Sequence, residues 1–142
     1  MVTHKAKSLI ILAILSTVHQ LAIAEWTHFG SAKNAQYDYY LRPDLIKTEE
    51  NFRTTWVMFN YKNKNDTVRS SIALNEYDCN LKKVRTNYLI QYDGEMATGN
   101  VLVTSAPPKT NDYWRSAEMG SVTRAIMDLV CEYDGKTPIL RS

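Results

Sequence analysis

Histidine and cysteine are scarce in this chain, three and two among 142 residues. A structural zinc site takes four such ligands, and no pair here stands at a chelating spacing. Glycine is scarce as well, with five residues in all. Neither the glycine-flanked serine of a nucleophile elbow nor the glycine-bearing loop of a calcium site is present. A long hydrophobic run is also missing. The apolar stretch from Leu9 to Val18 is about half of the ~20 residues needed to cross a bilayer. There is no internal repeat, low-complexity segment or long block of one charge.

What the N-terminal stretch does have is the three-part build of an export signal. His4, Lys5 and Lys7 form a basic start, the apolar stretch follows, and Ala22-Ile23-Ala24 supplies small residues where a signal peptidase reads. The expectation is a cleaved signal at 1–24, ending at Ala24, and a single domain over 25–142. A membrane anchor is the competing reading, and the short run argues against it. All fifteen acidic residues fall after Ala24, while two of the seventeen basic ones, Lys5 and Lys7, fall before it. The exported part is therefore neutral, and the clustered positive excess that nucleic-acid binding requires is not there.

Tyrosine, by contrast, is abundant at nine residues, and β-branched and aromatic residues dominate the first three quarters, which points to strands. Strands are expected at Trp26–Phe29 and Gln36–Leu41, ended by Arg42-Pro43-Asp44. Thr54–Lys62 has apolar residues of both parities, Trp56 and Met58 against Val57, Phe59 and Tyr61. That pattern marks a central strand covered on both sides. Between Val68 and Leu81 the apolar phase changes from Ile72 and Leu74 to Tyr77, Cys79 and Leu81, so a bulge is expected near Asn75–Glu76. Val84, Thr86, Tyr88, Ile90 and Tyr92 then alternate cleanly, with Leu89 the one misfit. Val101–Ser105 forms a last strand before Pro107-Pro108. A helix is expected from the N-cap Ser121 to Gly135, burying Val122, Ile126, Val130 and Tyr133. The fold class is α+β: an antiparallel sheet of about six strands with one C-terminal helix packed on it.

The two cysteines, Cys79 and Cys131, both lie in the exported part. A catalytic cysteine needs a neighbouring base, and His28 is the one histidine beyond Ala24. Nothing in the pattern brings it to Cys79, and a Ser-His-Asp arrangement meets the same shortage. Glu76 and Asp78 would share a strand face and could hold calcium weakly, but a solvated acidic edge is the simpler reading. No catalytic residue, metal site or cofactor is therefore assigned. The reading that remains is a Cys79–Cys131 disulfide tying sheet to helix, as export into an oxidising compartment favours.

In order along the chain, Glu76-Tyr77-Asp78-Cys79, Arg85, Tyr88, Met96 with Gly99, Trp114, Ser121 and Cys131 resemble the surface-adhesin protein E family, small exported bacterial domains. Trp26-x-x-Phe29-Gly30 and the tyrosine-rich second strand resemble the family's N-terminal end. The resemblance implies an antiparallel sheet with a C-terminal helix held by a disulfide. It also implies an adhesin that binds host matrix and serum proteins such as vitronectin, laminin and plasminogen. The family's namesake is lipid-anchored; here neither cysteine sits at the expected cleavage point, so the product is expected to be periplasmic or secreted without a lipid anchor.

Three functions follow as expectations. The first is a non-enzymatic domain that binds another protein through Lys82, Lys83 and Arg85, expected to be exposed beside a hairpin turn. The second is host adhesion at the cell surface. The third is a small-ligand carrier or enzyme built around the tyrosines and Trp56 or Trp114. Asn65-Asp66-Thr67 is a glycosylation acceptor pattern, relevant only to a eukaryotic route. Oligomeric state is not legible in the sequence.

Overall fold

The computed structural model describes residues 26–136 apart from 33 and 35, so the expected signal and its end at Ala24 lie outside the described residues. The elements run β1 (Thr27–Ser31), β2 (Tyr37–Leu41), β3 (Lys47–Glu49), β4 (Phe52–Tyr61), β5 (Ser70–Asp78), β6 (Lys83–Tyr92), β7 (Val101–Ser105), β8 (Arg115–Ser116) and α1 (Val122–Glu132). All strand pairs are antiparallel. They form one sheet in the order β1-β2-β4-β5-β6-β7, with β3 joined to β4 and β8 to β6. The α+β architecture is the expected one. Two of the eight strands, β3 and β8, escape the sequence pattern because they are short, polar and exposed throughout.

β4 is central, flanked by β2 and β5, and its neighbouring residues Val57 and Met58 are both fully buried although they point to opposite faces. On one face Leu41, Val57, Tyr77 and Val84 form the core with Ile126, Met127 and Val130 of α1. On the other face the turn at 93–99 is tied down by hydrogen bonds to β4 and β5. Ser70 Oγ donates to the Gly94 carbonyl (2.5 Å) and accepts from the Ala97 N–H (2.9 Å), and Asn60 Oδ1 accepts from the Met96 N–H (2.8 Å). At the sheet's edge, a Cβ on Gly30 would stand 2.8 Å from the hydroxyl of Tyr39, so any side chain there would displace the end of that ring.

The bulge is real but sits in the other strand. β5 alternates without a break: Ser71, Ala73, Asn75 and Tyr77 face α1, while Ile72, Leu74 and Glu76 face away. The extra residue is Asn87 of β6, since Leu74 stands opposite Tyr88 and Asn75 opposite Thr86. Val84 and Thr86 therefore share the helix side with Leu89, and Tyr88 and Ile90 share the other. The expected single-faced alternation of β6 is corrected on this point. The apolar phase misled because both faces of these strands are partly covered, so apolar residues do not mark one face.

Helix α1 starts as expected, with Ser121 Oγ accepting the Arg124 N–H at 3.1 Å. It ends at Glu132, short of Gly135, because Tyr133 adopts extended backbone (ψ 121°). Tyr133 therefore leaves the expected stripe and Met127 takes a buried place in it. The Cys79–Cys131 disulfide is present (S–S 2.02 Å), joining the residue after β5 to the last turn of α1.

Candidate functional site

The β5–β6 turn is held by its own acidic residue. Asp78 Oδ1 accepts the N–H groups of Asn80 (3.0 Å) and Leu81 (2.9 Å), a local side-chain turn that suits aspartate. Lys82 takes positive φ (54°), and its carbonyl accepts the Ala117 N–H at 2.9 Å, pinning the turn to the segment before α1. This geometry leaves Leu81 67% exposed. Beside it lies a shallow groove of about 410 Å³ bounded by Phe52, Asp78, Leu81, Lys83, Asn111 and Trp114.

Of the three basic residues expected on this surface, Lys83 is exposed, Lys82 is half-buried and Arg85 is engaged. Arg85 Nε donates to Glu76 Oε2 at 2.6 Å, and its guanidinium lies 4.6 Å from the centre of the Trp114 ring. Asn87 donates to the same carboxylate oxygen at 3.2 Å. Arg85 thus clamps the segment after β7 onto the sheet, and its expected exposure is corrected. Glu76 and Asp78, weighed as weak cation ligands, are occupied by Arg85 and by turn N–H groups. Among the described residues no cluster of three or more His, Cys, Asp or Glu is placed to hold a metal.

A second concavity lies on the helix side of the sheet, a cleft of about 490 Å³. Ser71, Ala73 and Asn75 of β5, with Thr86, Leu89 and Gln91 of β6, form its floor. Phe59 and Tyr61 stand on one side, and Tyr113 and Arg115 on another. The floor is partly cross-linked: Tyr61 and Ser71 hydroxyls meet at 3.0 Å, and Asn75 accepts from Thr86 (2.9 Å) while donating to the Tyr77 hydroxyl (3.3 Å). Burial pushes the Tyr77 hydroxyl well above the ordinary tyrosine range, and the bond from Asn75 opposes this only in part.

Sequence reasoning did not find this cleft. Its signal is in β5, where the helix-facing phase reads Ser71-Ala73-Asn75, small and polar at positions where a core strand carries large apolar residues. The aromatic residues weighed for a ligand pocket are divided. Trp56 packs edge-on to Tyr88 (6.2 Å) and Trp114 lies against Phe52 (6.0 Å), both on the face away from α1, while Tyr61 and Tyr113 line the cleft.

The model of the surface-adhesin protein E family matches residues 26–132. Three crystal structures of Haemophilus influenzae protein E share the fold. One matches at 17% identity with a TM-score of 0.53, covering 78% of this chain and 87% of that one. Its selenomethionine form matches at 17% and 0.53 over 77% and 88%. A second crystal form matches at 15% and 0.52 over 73% and 86%. Among curated proteins no match was found. With the disulfide, the C-terminal helix and the sheet in place over the matched span, the chain belongs to the surface-adhesin protein E family.

Proposed function

We propose that this protein is an exported, non-enzymatic binding domain of the surface-adhesin E type, and that it takes a protein partner on the β5–β6 hairpin tip. The observation that carries the reading is a largely exposed leucine, Leu81, on a turn held by Asp78 and by the disulfide at Cys79. An apolar residue held rigidly beside an aromatic-floored groove supplies the contact core of a protein interface, and a charged rim steers the encounter. Lys82 and Lys83 supply that rim, suited to an acidic partner. Charges at a hairpin also deter unwanted edge pairing, and the experiment separates the two roles.

The family's description as a surface adhesin makes host matrix and serum proteins the partners to try. Leu81→Ser combined with Lys82→Glu and Lys83→Glu should weaken capture by immobilised vitronectin, laminin or plasminogen at least ~10-fold, as loss of a central anchor does. The thermal midpoint should stay within ~3 °C, since Leu81 and Lys83 are exposed, Lys82 is half-buried and the bond that pins the turn is made by its backbone carbonyl. Undiminished capture would remove this surface as the site. Export rests on the signal pattern before Glu25; among the described residues no helix is long and apolar enough to cross a membrane. Protease shaving of intact cells tells surface display from a periplasmic address. No catalysis is proposed, because His28 sits on the edge strand β1 while Cys79 is held in the disulfide.

A further inference from the structure

We propose that the cleft on the helix side of the sheet binds a neutral, hydroxyl-rich ligand, one or two saccharide rings. The cleft holds about 490 Å³, in the lower half of the ~300–1,000 Å³ typical of small-molecule sites. Its floor is built for contact with polar groups. Ser71 and Ala73 are 2% and 4% exposed, as deep as the core, yet neither carries a large apolar side chain. The Ser71 hydroxyl is bonded to the Tyr61 hydroxyl at 3.0 Å, as a buried polar group requires, and the unused bonding capacity of the cleft lies beside it.

Asn75 Nδ2 makes one bond to a side chain, leaving a second hydrogen for a ligand. Among the described residues the Gln91 amide, the Asp112 carboxylate and the Arg115 guanidinium, all lining the cleft, have no side-chain hydrogen bond or ion pair. Together they offer donors and acceptors side by side, which is what sugar hydroxyls require, since each both donates and accepts. The two charges cancel, so the cleft has no net pull on an anion or a cation. Tyr61 and Tyr113 add aromatic rings for the apolar C–H face of a pyranose, and Tyr113 is 44% exposed. An aliphatic ligand would leave these amide and charged groups without partners, and an ion of either sign would meet one like charge, Asp112 for an anion and Arg115 for a cation.

The cleft and the hairpin groove lie on opposite faces of the sheet, so this inference does not depend on the hairpin. It is tested with the oxidised exported domain, isotopically labelled and titrated with N-acetyllactosamine, chitobiose, maltose and trehalose. Each is taken to roughly 10 mM, ten times the dissociation constant of a weak millimolar site. At least one sugar should shift the backbone amide signals of Ser71, Asn75, Gln91 and Tyr113. Gln91→Ala and Tyr113→Ala, which keep the rest of the spectrum, should each weaken binding at least ~10-fold. N-acetyllactosamine alone would point to galactose-capped host glycans, and chitobiose alone to an N-acetylglucosamine polymer. No shift with any of the four, or a shift that survives both substitutions, overturns the proposal.

Discussion

One face of the sheet contains both the best-packed and the least-filled parts of the molecule. Over β2, β4 and the Tyr77–Val84 pair it carries large apolar side chains, and α1 seats on them. Farther along β5 and β6 the same face carries Ser71, Ala73, Asn75, Thr86 and Gln91, and a cleft stands open. The geometry explains why both exist. A helix about 10 Å across covers about two strands spaced ~4.8 Å apart, and this sheet is six strands wide on its main path. A single helix does not reach the rest, and there the sequence places small and polar side chains around Leu89, so the face is not filled. The difference teaches that the cleft follows from having one helix on a wide sheet, with polar residues placed where that helix does not reach.

The contrast makes predictions of graded size. Replacing Cys79 and Cys131 by alanine frees the packed half from its tether, and a crosslink across 52 residues is worth about 4 kcal/mol by chain entropy. Equilibrium denaturation of the double variant should show a loss of that order, and a loss under ~1 kcal/mol would show that packing alone seats the helix. Ile126→Ala removes a fully buried side chain from α1 and should cost about 3 kcal/mol. A third test sets like substitutions side by side. Ala117→Val overfills the core, where Ala117 is buried among the α1 contacts, and should cost about 1–3 kcal/mol. Ala73→Val extends toward the open cleft and should change stability by less than ~1 kcal/mol. Equal costs at the two alanines would break the comparison.

At neutral pH Tyr77→Phe should cost only about 1 kcal/mol, from the lost bond with Asn75. Its signature is in alkali. Burial raises the Tyr77 pKa from the ordinary value of 10.0, so the folded form keeps a proton that the unfolded chain releases. Stability is level below that ordinary value and falls as the pH rises beyond it. Tyr39 and Tyr40 are also raised by burial, so Tyr77→Phe should flatten the alkaline decline without abolishing it. Denaturation midpoints at pH 8 and about pH 11 check this.

Much of the fold was legible because its signals are local. Two-sided hydrophobicity in Thr54–Lys62 marked the central strand, Ser121 marked the helix start, and two cysteines in a chain expected to be exported left one pairing. β3 and β8 were not legible, since three and two exposed polar residues carry no period. The bulge was sensed but assigned to the wrong strand. A phase change says that an extra residue exists between two paired segments, and only the pairing shows that it is Asn87. The hairpin surface was half legible. The lysines could be placed at a turn, but Arg85 turned out to be held by Glu76 and Trp114, and Trp114 lies 29 residues along the chain.

Residue order alone therefore settles the six longer strands, the start of the helix, the class of fold and the crosslink, because strand alternation, capping and thiol count are properties of neighbouring residues and of composition. The position of the cleft, the loss of Arg85 from the exposed surface and the prominence of Leu81 belong to the folded molecule. Each depends on which side chains meet across strands and on how far one helix reaches over a wide sheet, and those are distances that no local pattern encodes.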